Sequence, residues 1–306
     1  MTVAPVWALA PAKINLSLHV GARRPDGFHE LATVYQAVDL YDHVGASVRD
    51  DGGLSVRTVD GHGRPIADLD SSQHLALRAA AALRERYRGT RGVHLDVVKN
   101  IPIAAGMAGG SADAAAALVA CAAAWRLDAP PAELQDLAAS LGSDVPFALT
   151  GGTAVGTGRG ERVQPVAATM PTHWVMVSSS PGLSTPAVYA SADRSGHVRP
   201  AAPAVDARLL SALASGDRQA LAGLLHNDLQ APAMSLRPGL ADVLAAGTAA
   251  GALAGIVSGS GPTLLLLIDG ADAAAVTAHV APVAAAVLAG AWVRAISGPV
   301  PGARLR

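Results

Sequence analysis

Residues 101–117 read IPIAAGMAGGSADAAAA, so the chain's most flexible residues run directly into its best helix formers. No other stretch constrains the fold as much. An α-helix leaves its first four N–H groups unpaired, and its aligned peptide dipoles make that end partly positive. Glycine before such an end removes the Cβ atoms that would hold a ligand off the backbone. It also permits positive φ, so successive N–H groups can converge on one anion. Gly106, Gly109 and Gly110 are then expected to cradle phosphate, with Ser111 adding a hydroxyl and a helix running from about Ser111 to Arg126. Taken alone, the stretch reads equally as a glycine-rich turn before an alanine helix. It lacks the Gly-Lys-Ser/Thr close of a Walker loop and the spacing of a dinucleotide fingerprint.

The rest of the composition bounds what surrounds this juncture. The 306 residues suit one large domain or two of ordinary size. Much of the 51% hydrophobic content is alanine, so a core of small, closely packed side chains is expected. A net charge of −1 without long charged runs gives no sign of an electrostatic footprint for nucleic acid or anionic lipid. The lone Cys121 rules out an internal disulfide and reads as a buried small hydrophobe in LVACAAAW. The opening MTVAPVWALAPAK does not resemble a signal peptide, and runs such as TLLLLI at 263–268 fall short of the roughly 20 residues that span a bilayer. A cytoplasmic protein with no membrane or nucleic-acid partner is expected. Lysine occurs only at Lys13 and Lys99 in a chain otherwise rich in arginine.

Alternating or β-branched runs at WALA, INLSLHV, VGASV, LSVRTV and VHLDVV predict strands. The run SSQHLALRAAAALRERYR predicts a helix, with Ser71 and Ser72 as caps, and PAELQDLAASLG predicts another that stops at Gly142. GGTAVGTGRGERVQPV reads as a hairpin. HWVMVSSS, LAGIVS, TLLLLI and WVRAIS predict strands alternating with helices at 206–228, 237–251 and 271–289, and 191–205 reads as a linker or surface loop. The fold class is α+β in two halves, 1–165 and 166–306.

Three further blocks accompany the glycine loop: PAKINLSLHVGARRPDGFHEL upstream, LGSDVPFALTGGTAVGTGRGE downstream, and IVSGSGPTLLLLI near the end. In this order and spacing the four blocks resemble the GHMP kinase superfamily, and PAKINLSLHV with RPDGFHEL resembles the branch that phosphorylates 4-diphosphocytidyl-2-C-methyl-D-erythritol. The resemblance covers essentially the whole chain and is weakest at 50–70 and 190–210. It implies a two-domain fold with the active site in the cleft between the halves, MgATP as phosphoryl donor, and a cytidine diphosphate-linked methylerythritol as small-molecule acceptor. A monomer or weak homodimer is expected. Ala104, Ala105 and Ala108 stand where the family usually has glycine, Met107 where it has leucine, and Ala112 where it has a second serine. These departures predict a stiffer loop. Phe28 stands where tyrosine is common.

The resemblance also implies roles. Asp144 is the candidate base for the acceptor's 2-hydroxyl, although an Asp in this context reads locally as a turn or helix cap. Lys13 would keep Asp144 ionised and stabilise charge on the acceptor oxygen. The ordinary reading of AKINLSL puts Lys13, Asn15 and Ser17 on a solvated face. Residues 102–112, that is Pro102, Ile103, Ala104, Ala105, Gly106, Met107, Ala108, Gly109, Gly110, Ser111 and Ala112, would bind ATP. Asn15, Phe28, His29, Ser184, Thr185, Ser260 and Gly261 would bind substrate: Asn15 its sugar-alcohol portion, Phe28 and His29 the pyrimidine, on which Phe28 stacks, Ser184 and Thr185 the diphosphate, with Ser260 and Gly261 beside the phosphates. Mg²⁺ would come with ATP; Ser111 and Asp113 are candidate ligands, but no protein metal set is assigned. Lys99 has no role beyond solvation. The alternatives are another GHMP kinase, acting on homoserine, mevalonate or a sugar, and a nucleotide-binding protein without catalysis.

Overall fold

The computed structural model describes residues 4–198 and 203–306. The first half opens with β1 (Val6–Arg23) and β2 (His29–Arg49), followed by β3 (Leu54–Asp60), α1 (Leu75–Arg86), β4 (Gly92–Lys99) and α2 (Gly109–Trp125). Two further helices, α3 (Pro131–Leu141) and α4 (Val145–Thr150), lead to the hairpin β5 (Thr153–Gly158) and β6 (Arg162–Pro165). Then come β7 (Thr172–Ser178), α5 (Thr185–Ser195), α6 (Ala207–Ser215), α7 (Arg218–Leu224), β8 (His226–Asn227), α8 (Gln230–Leu236) and α9 (Gly239–Ala249). The chain closes with β9 (Ala254–Val257), β10 (Leu264–Ile268), α10 (Ala273–Val287), β11 (Trp292–Gly298) and β12 (Arg304–Leu305).

Two sheets organise these elements. The first runs β12-β1-β2-β4-β3, with β5 on another stretch of β2, β6 beside β5, and β8 parallel to β1. The second runs β11-β7-β10-β9. WALA and INLSLHV prove to be one strand, paired with an even longer β2 through register shifts at Pro11/Ala12, Asn15/Ser17 and Val20/Arg23. Such bulges re-aim side chains, and here they fall beside Lys13 and Asn15. Contrary to the solvated-face reading, Lys13, Asn15 and Ser17 are all buried, like Ile14 and Leu16 on the opposite side.

α2 packs against β1 and β2, with α1 and α4 also against it, and Ala112 through Leu118 are buried on every side. A helix apolar all round must be a core helix, and alanine lets its neighbours approach closely. Cys121 lies on it, fully buried, its thiol pushed up to about 12 by burial. β10 is LLLLI, buried throughout because both its faces are covered. Leu264, Leu266 and Ile268 pack with Val276, Val280 and Ala284 of α10, whereas Leu265 and Leu267 join the core of the first half.

Several local expectations are corrected. α1 is capped by His74, whose Nδ1 accepts from the Ala76 N–H at 3.1 Å, not by Ser71 or Ser72. The expected 206–228 helix breaks at Gly216 into α6 and α7, each capped by an Asp side chain. Residues 191–195 finish α5, and 199–202 of the expected linker lie outside the described residues. The helical run 270–287 has the length and mean hydropathy, 1.3, to cross a membrane, which the sequence reading did not foresee; its Val276, Val280 and Ala284 face the second core.

Candidate active site

A cavity of about 600 Å³ lies where the two sheets meet. β1 supplies Lys13 and Asn15, β2 supplies His29 and Tyr35, and the 102–110 loop forms one wall. The second half contributes Thr185 and Tyr189 from α5, with Gly259 and Ser260 from the SGSG block.

α2 begins at Gly109, two residues earlier than expected, so Gly109 and Gly110 form its first turn. Its N-cap is Ala108, which has no polar side chain, and no side chain caps the helix. The N–H groups of the first turn are thus left to a ligand, the arrangement that favours anions. Of the glycines expected to form the cradle, only Gly106 has positive φ, +77°. A Cβ there would fall 2.1 Å from the Ser258 carbonyl oxygen, and one on Gly109 would fall 3.1 Å from Lys99 Nζ. These glycines are needed for close packing as well as for ligand approach. Ala104 and Ala108 take left-handed φ of +52° and +59°, conformations in which glycine is easier.

Of the residues expected to bind ATP, Pro102, Ala104, Ala105, Gly106, Ala108, Gly109 and Gly110 line the cavity. Ile103 instead points to solvent, and Met107 and Ala112 are buried in the core. Ser111 is not among the lining residues, nor are Ser184 and Gly261. Ser260 is, and its hydroxyl lies 2.9 Å from that of Thr185. Ser258 Oγ donates to the Gly106 carbonyl at 3.2 Å, pinning the loop to the second half.

Asp144 precedes α4, but its carboxylate makes no capping hydrogen bond. It accepts from the Tyr35 hydroxyl at 3.1 Å. Burial, and then the Asp144 charge, hold the Tyr35 phenol well above its ordinary value, so it remains a neutral donor. Lys13 Nζ donates to Asn15 Oδ1 at 2.7 Å, and Asn15 Nδ2 donates to Thr33 Oγ1 at 2.8 Å. Burial lowers the Lys13 pKa, and Asp144 pushes it back in part. The backbone of Gly259 lies against this pair: a Cβ there would sit 3.3 Å from Lys13 Nζ.

At the other end, Phe28 is half exposed, and His29 is fixed by Asp193 Oδ1 at 2.9 Å and by stacking on Tyr189 at 5.0 Å. Tyr35, Tyr189, Ser143 and Arg159 also line the cavity, and sequence reasoning missed them. Only Arg159 had a visible signal, an arginine between glycines in the hairpin.

Lys99 is not solvated. It is buried under the loop, where Nζ donates to Asp42 and, at 2.7 Å, to Asp113. Asp113 therefore faces Lys99, which removes it as a cavity ligand for Mg²⁺. Elsewhere, ligand atoms of His19, His226 and Asp228 lie within 4.8 Å of one another. The two imidazoles stack at 4.6 Å with a 19° tilt, however, so one ion cannot lie in both ring planes. The arrangement suits ring packing better than shared coordination.

The family profile for the GHMP kinases N-terminal domain matches residues 74–152, and the one for the GHMP kinases C-terminal region matches 209–282. A 4-diphosphocytidyl-2-C-methyl-D-erythritol kinase from Leifsonia xyli is 49% identical over 98% of both chains. A crystal structure of 4-(cytidine 5'-diphospho)-2C-methyl-D-erythritol kinase superposes with a TM-score of 0.72 at 33% identity, covering 95% of this chain and 99% of that one. A homoserine kinase from Cytophaga hutchinsonii reaches 0.77 at only 18% identity, over 99% and 98% of the two chains, a likeness of fold alone.

Proposed function

Because the chain belongs to the GHMP kinase family, and within it to the 4-diphosphocytidyl-2-C-methyl-D-erythritol kinases, we propose how its cavity divides the work of phosphorylating that acceptor's 2-hydroxyl. As such a member it is an ATP-using phosphotransferase acting on an alcohol, in the non-mevalonate route to isoprenoid precursors. The observation that carries the assignment of roles is the uncapped carboxylate of Asp144, held by Tyr35 inside the same cavity as Lys13 and the open end of α2.

Phosphoryl transfer needs alignment and charge stabilisation more than covalent chemistry. ATP lies along the 102–110 loop, its phosphates on the first N–H groups of α2. Asp144 takes the proton of the attacking hydroxyl, and Tyr35 fixes the carboxylate's orientation. Lys13, held by Asn15, stabilises the negative charge that develops on the acceptor oxygen. Phe28 and Tyr189 offer aromatic faces to the pyrimidine, and His29, fixed by Asp193, offers a ring edge. Thr185 and Ser260 add hydroxyls from the second half. We take 1–165 and 166–306 as the two halves that close on the substrates.

The uncapped start of α2 leaves backbone N–H groups to the cavity, and the carboxylate of Asp113, on α2, is tied to Lys99 through Oδ2. Mg²⁺ accordingly fits as a partner of ATP's own phosphates and waters, where it neutralises phosphate charge. The test is ADP release with the cytidyl acceptor, run beside mevalonate and homoserine. Turnover confined to the cytidyl acceptor is expected; equal or greater turnover of a simple alcohol would overturn the substrate assignment.

A further inference from the structure

The turn at 156–161, GTGRGE, carries an arginine into the cavity to which the division of roles above gives no task. We propose that Arg159 clamps the diphosphate that links cytidine to the polyol of the acceptor. This rests on the kinase reading and names a specificity residue within it.

The turn is built to aim this side chain. Gly158 and Gly160 have φ of +72° and +104°. A Cβ on Gly158 would fall 2.7 Å from the Glu161 carboxylate, and one on Gly160 would fall 2.3 Å from the Tyr35 hydroxyl. Only glycine lets the turn press this closely on both. Glu161 Oε2 accepts from the Arg159 N–H at 2.6 Å, which fixes the backbone between them.

The placement matches the order of groups along the acceptor. On one side the guanidinium lies over the Phe28 ring, 5.0 Å from its centroid. On the other, the same turn abuts Tyr35, which holds Asp144. A substrate with its pyrimidine on Phe28 and its hydroxyl at Asp144 must pass its diphosphate between them, beside Arg159.

Charge leads to the same residue. Asp144 and Asp193 line the cavity and would repel a phosphate dianion. Three cationic side chains line it: Lys13, Arg23 and Arg159. Lys13 is engaged with Asn15, and Arg23 Nε donates to the Gly27 carbonyl at 3.2 Å; of the two arginines, only Arg159 sits on the turn that abuts Tyr35, the partner of Asp144. Arg159 Nε is 3.9 Å from Glu161, beyond hydrogen-bond reach, and among the described residues its terminal nitrogens donate to none. A planar fork of donors so placed suits two phosphate oxygens at once.

The experiment compares CDP and cytidine as competitive inhibitors against the cytidyl acceptor in the wild type and in Arg159→Ala, Arg159→Lys and Arg159→Gln. Loss of a charge-assisted fork predicts that the Ki of CDP rises about 10- to 100-fold in the Ala and Gln variants, with partial retention in the Lys variant. The Ki of cytidine and the KM of ATP should stay within about twofold, since neither ligand reaches the clamp. An unchanged Ki for CDP overturns the proposal. A parallel rise for CDP and cytidine also overturns it, because Arg159 would then act through Phe28 and the base. Should Arg159→Ala fail to fold by thermal melt, the Lys and Gln variants carry the same comparison. A wild type that does not turn over the cytidyl acceptor would sink the kinase reading itself, whereas full turnover with CDP affinity intact in the variants sinks only the clamp.

Discussion

The two lysines of the chain occupy equally buried places and behave oppositely. Lys13 faces a cavity with a single hydrogen bond, to Asn15, and burial drives its pKa down despite Asp144. Lys99 sits under the glycine loop between Asp42 and Asp113; burial again works against its charge, but the two carboxylates outweigh it and its pKa is raised. Asp42 also accepts from the Asn100 and Ile101 N–H groups, at 2.6 and 2.8 Å. Burial nevertheless leaves its carboxyl at about 7. The lesson lies in saturation. Around Lys99 the ammonium is spent on two buried carboxylates, and of their oxygens only Asp113 Oδ1 lacks a hydrogen bond, so the group holds structure. Around Lys13 the Asp144 carboxylate and the α2 terminus keep unspent capacity, and that capacity is what chemistry can use.

The largest effect should separate the two regions outright. Asp144→Asn keeps the size and the hydrogen bond from Tyr35 but cannot take a proton, so kcat should fall roughly 10²- to 10⁴-fold. The thermal midpoint and the KM for ATP should barely move. Near-normal kcat would remove Asp144 from the role of base and dissolve the contrast.

Lys99→Met should do the reverse. It leaves two carboxylates buried and unpaired, which typically costs ~3–5 kcal/mol. Urea unfolding should register most of that, and Lys13→Met should lose little stability while losing turnover. If Lys99→Met proves as stable as the wild type, the two carboxylates do not need the ammonium, and the description of a structural ion triad fails.

How much of this could be read from the sequence follows the same division. Phosphate-loop logic located the start of α2 to within two residues, because unpaired N–H groups and small residues are written locally in 101–117. The apolar runs found the strands of the second sheet, since both faces of its inner strands β7 and β10 are buried, even though the edge strand β11 is largely exposed. What escaped depends on distant contacts. Tyr35 reaches Asp144 across 109 positions of sequence, and Lys99 reaches Asp42 across 57. No local pattern marks such pairs. His74 caps α1 in place of Ser71 and Ser72 because the helix starts only at Leu75, while the Ser71 hydroxyl accepts from the Gln73 N–H in the preceding turn.

Gly106→Ala tests the seam joining the cavity loop to the second half. The new Cβ would meet the Ser258 carbonyl at 2.1 Å in a backbone with φ of +77°. Left-handed strain alone costs about 1–2 kcal/mol, so a loss of ~2–3 kcal/mol is expected once the clash is added. The KM for ATP should rise with it, because the loop must move off Ser258. A stable variant with unchanged KM would show that the loop and the SGSG block are not packed as a unit.

The smallest effect sharpens the comparison at the loop itself. Ala108 caps α2 in a left-handed conformation, φ +59°, within the cavity wall, whereas from β4 through Ile101 no described non-glycine residue has positive φ. Strain is therefore held on the cavity side and not beneath it. Ala108→Gly relieves about 1–2 kcal/mol of left-handed strain but gives the unfolded chain back about 0.4–1 kcal/mol of entropy. The net stabilisation should be ~0.5 kcal/mol, a rise in thermal midpoint of roughly 1–2 °C. The alanine also stiffens the turn that presents the N–H groups of α2, so the same variant should bind ATP slightly less tightly, by about twofold, through lost preorganisation. Gains in stability and losses in affinity of this size, from one methyl group, would mark the loop as strained in order to hold its donors ready. A variant that loses stability would instead show that the Ala108 methyl packs favourably enough to offset its conformation, and the strain would have to be sought at Ala104.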